Sequence, residues 1–165
     1  MNKIFFLGAA LSIISLLGCT NTNPRVATRL NQGASLTGDL PANPLQWKVI
    51  TSAINKQDST MYTLFGNDIA VQYARTNSQH DYPAGSVLSL VTWTQQEDPR
   101  WFGGNIPSAP KSVEFVTVGA SPDQKRTYTY EDFEGTPLKK ISTQDGLAPD
   151  SRAAYLVGQR AAVMP

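Results

Sequence analysis

Cysteine and histidine are almost missing from this 165-residue chain, which has one of each. A single thiol cannot close an intrachain disulfide or build a multi-thiolate zinc or iron–sulfur site, and a single imidazole excludes His-rich metal centres. No metal site is expected from these ligands. Charge is also sparse, at 16% of residues against about 25% in an average globular domain. The 14 basic and 13 acidic side chains leave a net charge of +1, so no global field draws in nucleic acid or anionic lipid. The longest apolar run, Ile4 to Gly18, is about 15 residues, short of the roughly 20 that cross a bilayer as a helix. A G-x-S-x-G elbow, a P-loop, a dinucleotide fingerprint and an EF-hand loop are all absent. What remains is 41% hydrophobic, with 11 Pro and 12 Gly, the composition of one loop-rich folded domain.

The first residues carry an address. Lys3 precedes the apolar run, and Leu16-Leu17-Gly18-Cys19 follows it, the layout of a secretory signal peptide. The Leu-Leu-Gly-Cys segment resembles the bacterial lipobox. That resemblance implies cleavage before Cys19, a diacylglycerol thioether on its sulfur and an N-acyl chain such as palmitate on its nitrogen. Two or more chains anchor stably. Thr20 stands where an Asp would favour inner-membrane retention in enteric bacteria, so the expected location is the outer membrane, facing the periplasm. Residues 1–18 are thus read as signal peptide and 19–44, rich in Asn, Thr, Pro and Gly, as a lipid-anchored flexible tether, with a weak helix over 23–30. The domain is expected from 45 to 165.

Within it, Trp47 to Ser52 alternates with a two-residue period, and Thr60 to Phe65 is β-rich. After Gly66 the period changes. Asn67 or Asp68 caps a predicted helix carrying Ile69, Ala70, Tyr73 and Ala74, with Arg75 near its end. Ser86 to Trp93 reads as a central strand with apolar groups on both faces, Gln95 to Pro110 as a long excursion, Val113 to Val118 and Thr127 to Phe133 as further strands, and Ser151 to Val163 as a terminal helix. The fold class is α+β, an antiparallel sheet packed with a few helices.

Two stretches carry a second resemblance. Phe65-Gly66-Asn67-Asp68-Ile69-Ala70-Val71 is followed by Tyr82-Pro83-Ala84-Gly85-Ser86-Val87-Leu88, with Trp93 closing the strand. This order of "GN-x-x-A" and "P-x-G-(S/T)-V-L" is similar to the cytochrome P-460 family. The resemblance implies a c-type haem held through C-x-x-C-H near the C-terminus, and a lysine bonded to the haem from the strand after the P-x-G turn. This chain has no Cys after Cys19. In the implied register Arg152 and Tyr155 stand at the Cys positions, Leu156 at the His and Leu90 at the lysine.

Other residues offer chemistry. His80, beside Asp81, is an acid–base group or axial ligand, or else a solvated loop residue. Glu97, Asp98 and Glu114, with Glu131, Asp132 and Glu134, are candidate paired carboxylates for acid–base work or for a hard cation, the last three also reading as a solvated turn. Trp93, Trp101 and Phe102 either form a ligand or partner surface or fold back on the sheet. Arg152 and Arg160 fall on roughly one helical face. The leading expectation is a non-enzymatic envelope lipoprotein without haem or other cofactor. It binds the membrane through Cys19 and either a small molecule or an envelope protein, with homodimerisation implied by the family alone. The alternative is a redox enzyme acting on hydroxylamine or nitric oxide and holding haem without thioethers, with His80, one of the Met residues or a Tyr such as Tyr155 as axial ligand.

Overall fold

The computed structural model describes residues 31–77, 79–120, 126–142 and 149–162. The leader, Cys19 and the helix expected over 23–30 lie outside the described residues. The compact unit that carries the sheet begins at Asn31.

Six strands run β1 (Lys48–Asn55), β2 (Thr60–Gly66), β3 (Val87–Glu97), β4 (Asn105–Ala120), β5 (Arg126–Glu134) and β6 (Lys139–Lys140). They form one antiparallel sheet in sequence order. Helix α1 (Asp68–Thr76) joins β2 to β3, and α2 (Pro149–Val157) follows the last strand. The α+β architecture read from the sequence is the one observed.

The α1 junction explains why the two motifs travel together. Asn67 accepts from the Ala70 amide at 3.0 Å, capping the helix, accepts from the Val87 amide at 3.2 Å and donates to the Gly85 carbonyl at 2.8 Å. One side chain thus satisfies an orphan donor of the helix and ties it to the first residues of β3. Gly66 precedes it because a Cβ there would stand 2.8 Å from Ile50 Cδ1 and 3.0 Å from the Ala70 Cβ.

Register sorts the side chains onto two faces. One row is Leu64 (β2), Leu90 (β3), Glu114 (β4) and Asp132 (β5). That face packs under both helices, with Ala70, Val71, Leu156 and Val157 against Leu64 and Leu88. The opposite face presents Phe65, Val91, Trp93, Phe115 and Phe133. Phe115 meets Trp47 and Phe133 edge-on, at centroid distances of 6.2 and 5.7 Å. Burial on both faces is why β3 reads as an almost unbroken apolar run.

The second face is covered by chain that composition assigned to the tether. Ala34, Leu36, Leu40 and Ala42 lie against it, Trp93 Nε1 donates to the Ala34 carbonyl at 2.9 Å, and Gly38 bridges to Leu138. A Cβ at Gly38 would fall 2.1 Å from the Leu138 carbonyl oxygen, so only glycine allows that approach. The expectation of a tether to residue 44 is corrected from Asn31 onward. Four apolar side chains without a period leave no local signal, yet they suffice to roof a sheet.

Two further boundaries move. The excursion expected from Gln95 to Pro110 is largely β structure: Glu97 pairs with Asn105, Gln95 with Pro107 and Trp93 with Pro110, with register shifts flanking Trp93. Pro107 and Pro110 precede Ser112, where β4's pairing with β5 begins, so prolines stand on a locally open edge where no donor is required. The terminal helix ends at Val157 rather than 163. Gly158 donates to the Ala154 carbonyl, and Ala162 leaves the helical path to donate to Ile50 at 2.8 Å.

Candidate functional site

Glu114 is the feature around which the helix-covered face is organised. It is charged, 4% exposed and set in the apolar strand Val113 to Val118. Arg152 reaches it from α2, Nε to Oε2 at 2.8 Å and Nη2 to Oε1 at 2.6 Å, a bidentate fork of the strong, charge-assisted kind. Tyr130 Oη donates to Glu114 Oε2 at 2.7 Å. Burial first, then the hydrogen bond to Glu114 and after it the Glu114 charge, push the Tyr130 hydroxyl's pKa well up. The Glu114 hydrogen bonds raise that of Arg152 further, against the opposing cost of burial, so the guanidinium stays charged. Asp132, next to Glu114 across the β4–β5 pair, is pushed up to about 6, first by burial and then by Glu114 and Glu134. Its Oδ1 is buried without a hydrogen-bond partner.

Above this cluster the Arg152 guanidinium lies 4.8 Å from the centroid of the Tyr155 ring, in cation–π range. Tyr155 also hydrogen-bonds Tyr62, and burial together with that contact raises the Tyr62 pKa. Leu156 and Leu90 are both buried in the same core.

The four positions that the resemblance assigns to haem attachment therefore gather on one face of the sheet. The side chains there do not fit that chemistry. Thioether formation needs thiols where Arg152 and Tyr155 stand, and an imidazole where Leu156 is packed at 0% exposure. Leu90 offers no amine. Arg152 is already committed to Glu114, and the pair fills the space between α2 and β4 with a satisfied salt bridge.

His80 lies elsewhere. It lines a cavity of about 660 Å³ bounded by the end of α1, the following loop and the chain after α2, with Arg75, Asn77, Tyr82, Gln159 and Arg160 among its walls. Tyr155 is not one of its lining residues, although Gln159 in the wall donates to the Tyr155 carbonyl at 3.3 Å. Among the described residues neither Arg75 nor Arg160 is ion-paired with a carboxylate. Asp81, the expected partner of His80, is instead paired with Arg126. Tyr82 is buried against Tyr73, with ring centroids 5.0 Å apart, and burial carries its hydroxyl up to about 12. Three groups able to bear positive charge thus face one half-open cavity with a tyrosine wall.

The aromatic trio divides. Trp93 is 4% exposed in the second core and is no part of a surface, because its indole nitrogen is spent on Ala34. Trp101 and Phe102, at 74% and 104% exposure, stand in water at the β3–β4 turn. The carboxylates divide too. Glu97 and Asp98 belong to that hairpin, Glu114 and Asp132 to the buried cluster, and residues 131–134 lie in β5 rather than in a turn. Among the described residues no group of three acids, His or Cys is placed to hold a metal. Arg152 and Arg160 also part company, since the helix between them stops at Val157. Sequence reasoning missed the Glu114–Arg152 pair. Its one local signal was a lone charge inside an apolar strand, which calls for a buried partner.

Comparison with known proteins bears on the sheet and α1. A search of curated proteins finds no match. The family model for cytochrome P-460 matches residues 41–150, a stretch that contains the sheet and α1 and stops just before Arg152. Two-thirds of the sequence and the motif-bearing α1 junction lie inside the match. The chain belongs to the cytochrome P-460 family.

Proposed function

We propose that this protein is an envelope lipoprotein, held at the outer membrane's periplasmic face through acylated Cys19, whose cytochrome P-460 domain works by binding rather than by haem chemistry. The observation that carries the reading is the Glu114–Arg152 fork, which lies where the family's attachment motif would place a thioether. Packed Leu90 and Leu156 and the lack of any Cys beyond Cys19 support it. Binding then shifts to the His80 cavity. Arg75, Arg160 and His80 suit a small anion, and Tyr82 with Ala74 and Ala161 suits an apolar portion of the same molecule.

The test is an absorption spectrum from 250 to 700 nm of the chain purified from haem-replete cells. A flat trace beyond 300 nm, with cooperative unfolding, is the expected result. A Soret band at one haem per chain that survives gel filtration overturns it. That band would favour the second reading, a redox enzyme holding haem without thioethers, for which His80 on an open cavity is the specific support. Loss of the band in His80→Ala would then identify the ligand.

A further inference from the structure

Beyond Thr94, where β2 stops pairing with β3, and before Ser112, where β5 starts pairing with β4, the β3–β4 hairpin is a two-stranded ribbon that leaves the sheet. Its tip is a built turn. The Asp98 carbonyl accepts from the Trp101 amide at 3.2 Å, the Asp98 amide donates to Gly104 at 2.9 Å, and the Gly104 amide donates to Trp101 at 2.9 Å. Asp98 Oδ1 accepts from the Arg100 amide at 2.9 Å and pairs with its Nε at 3.2 Å. The local frame is hydrogen-bonded while Trp101 and Phe102 point away from all apolar cover, an arrangement that marks an interaction surface.

The start of the sheet-bearing unit supplies the occupant. Asn31 donates from Nδ2 to the Pro107 carbonyl at 2.5 Å, so the chain enters the domain alongside this same ribbon. Eleven residues separate Asn31 from Cys19, a reach of at most about 40 Å. The stretch from Cys19 thus joins the domain beside the ribbon, and its span lets the tip reach a bilayer that holds the anchor. We infer that Trp101 and Phe102 insert into the headgroup–acyl boundary of the phospholipid bilayer that holds the anchor, orienting the domain on the membrane. Trp suits that boundary because its ring is apolar and its N–H stays hydrated. Asp98 is offset by Arg100 at the tip, so apolar burial drives the insertion and salt has little effect on it.

This inference rests on the lipoprotein reading, and the experiment separates the two. The full acylated chain is reconstituted in dioleoylphosphatidylcholine vesicles, with and without brominated acyl chains, and the Trp101 emission is taken as the difference between wild type and Trp101→Phe. The expected result is that bromine removes most of the Trp101 emission, that aqueous iodide reaches it less on vesicles than in detergent-free solution, and that the quenching left in Trp101→Phe is small, because Trp93 is buried and half-buried Trp47 packs edge-on to Phe115 in the second core. Trp101 emission that is untouched by bromine and open to iodide overturns the inference while leaving the anchor intact. Trp101 shielded from iodide yet unquenched by bromine also overturns it and assigns the tip to a protein contact. If the chain does not float with vesicles and Cys19 carries no acyl mass, both readings fall.

Discussion

Asp132 is held where its ionised form is disfavoured. Burial, Glu114 across the strand and Glu134 two residues on all act in that direction, with Arg152 and the Phe133 amide opposing them weakly. A carboxyl whose pKa is about 6 in the folded chain and 3.8 in the unfolded one binds more protons when folded. Its contribution therefore favours the fold at low pH and is lost as pH rises from about 4 to about 6. The loss is on the order of 2 kcal/mol. Asp132→Asn is expected to match wild type in urea unfolding at pH 4 and to exceed it at pH 7.5. Equal gains at both pH values would show that ionisation is not what burdens this site. The buried Glu114–Arg152 pair is a different case. Removing either partner strands the other's charge, whereas together they close the face with little net gain.

At the scale of elements, the junction of β2, α1 and β3 hangs on Asn67. Its oxygen serves two amides and its nitrogen one carbonyl, so Asn67→Ala removes a helix cap and two cross-element bonds. The expected loss is about 2 kcal/mol, read as a fall in the urea midpoint at unchanged slope. Asn67→Asp keeps both acceptor roles and adds a charge suited to the helix N-terminus, but loses the bond to Gly85 and sets a carboxylate oxygen against that carbonyl, so its loss is expected to be the smaller of the two without vanishing. The reverse order would mean the cap is not the main contribution. This junction was legible beforehand because a cap, a close-packed glycine and a turn are local chemistry. The β3–β4 ribbon was not. Its prolines read as loop, and only the open edge of β4 explains how they sit in a strand.

At the scale of the molecule, the sheet is covered on both sides, by α1 and α2 on one and by the chain from Asn31 to Trp47 on the other. The N-terminal cover is structural, not a leash. A chain beginning at Leu45 would expose Phe65, Trp93, Phe115 and Phe133 and orphan the Trp93 indole. It is expected to bind a hydrophobic dye and aggregate, while a chain beginning at Asn31 melts cooperatively. Identical melting of the two would show that the cover contributes nothing. The cover escapes a reading of the sequence because its contacts come from far along the chain: Trp93 meets Ala34 at a separation of 59 residues.

The sequence by itself determined what depends on neighbours within a turn or two: the strands, the capped helix, the motif order of the family and the want of a second cysteine on which thioether chemistry turns. Tertiary structure alone decided which side chains share a face. It set Arg152 against Glu114 across 38 residues, brought His80 to a cavity wall with Arg75 and Arg160, sank Trp93 and left Trp101 and Phe102 in water. Local pattern fixes whether a residue lies on a strand or a helix, but its partner there is chosen by register and packing, which depend on the whole chain closing at once.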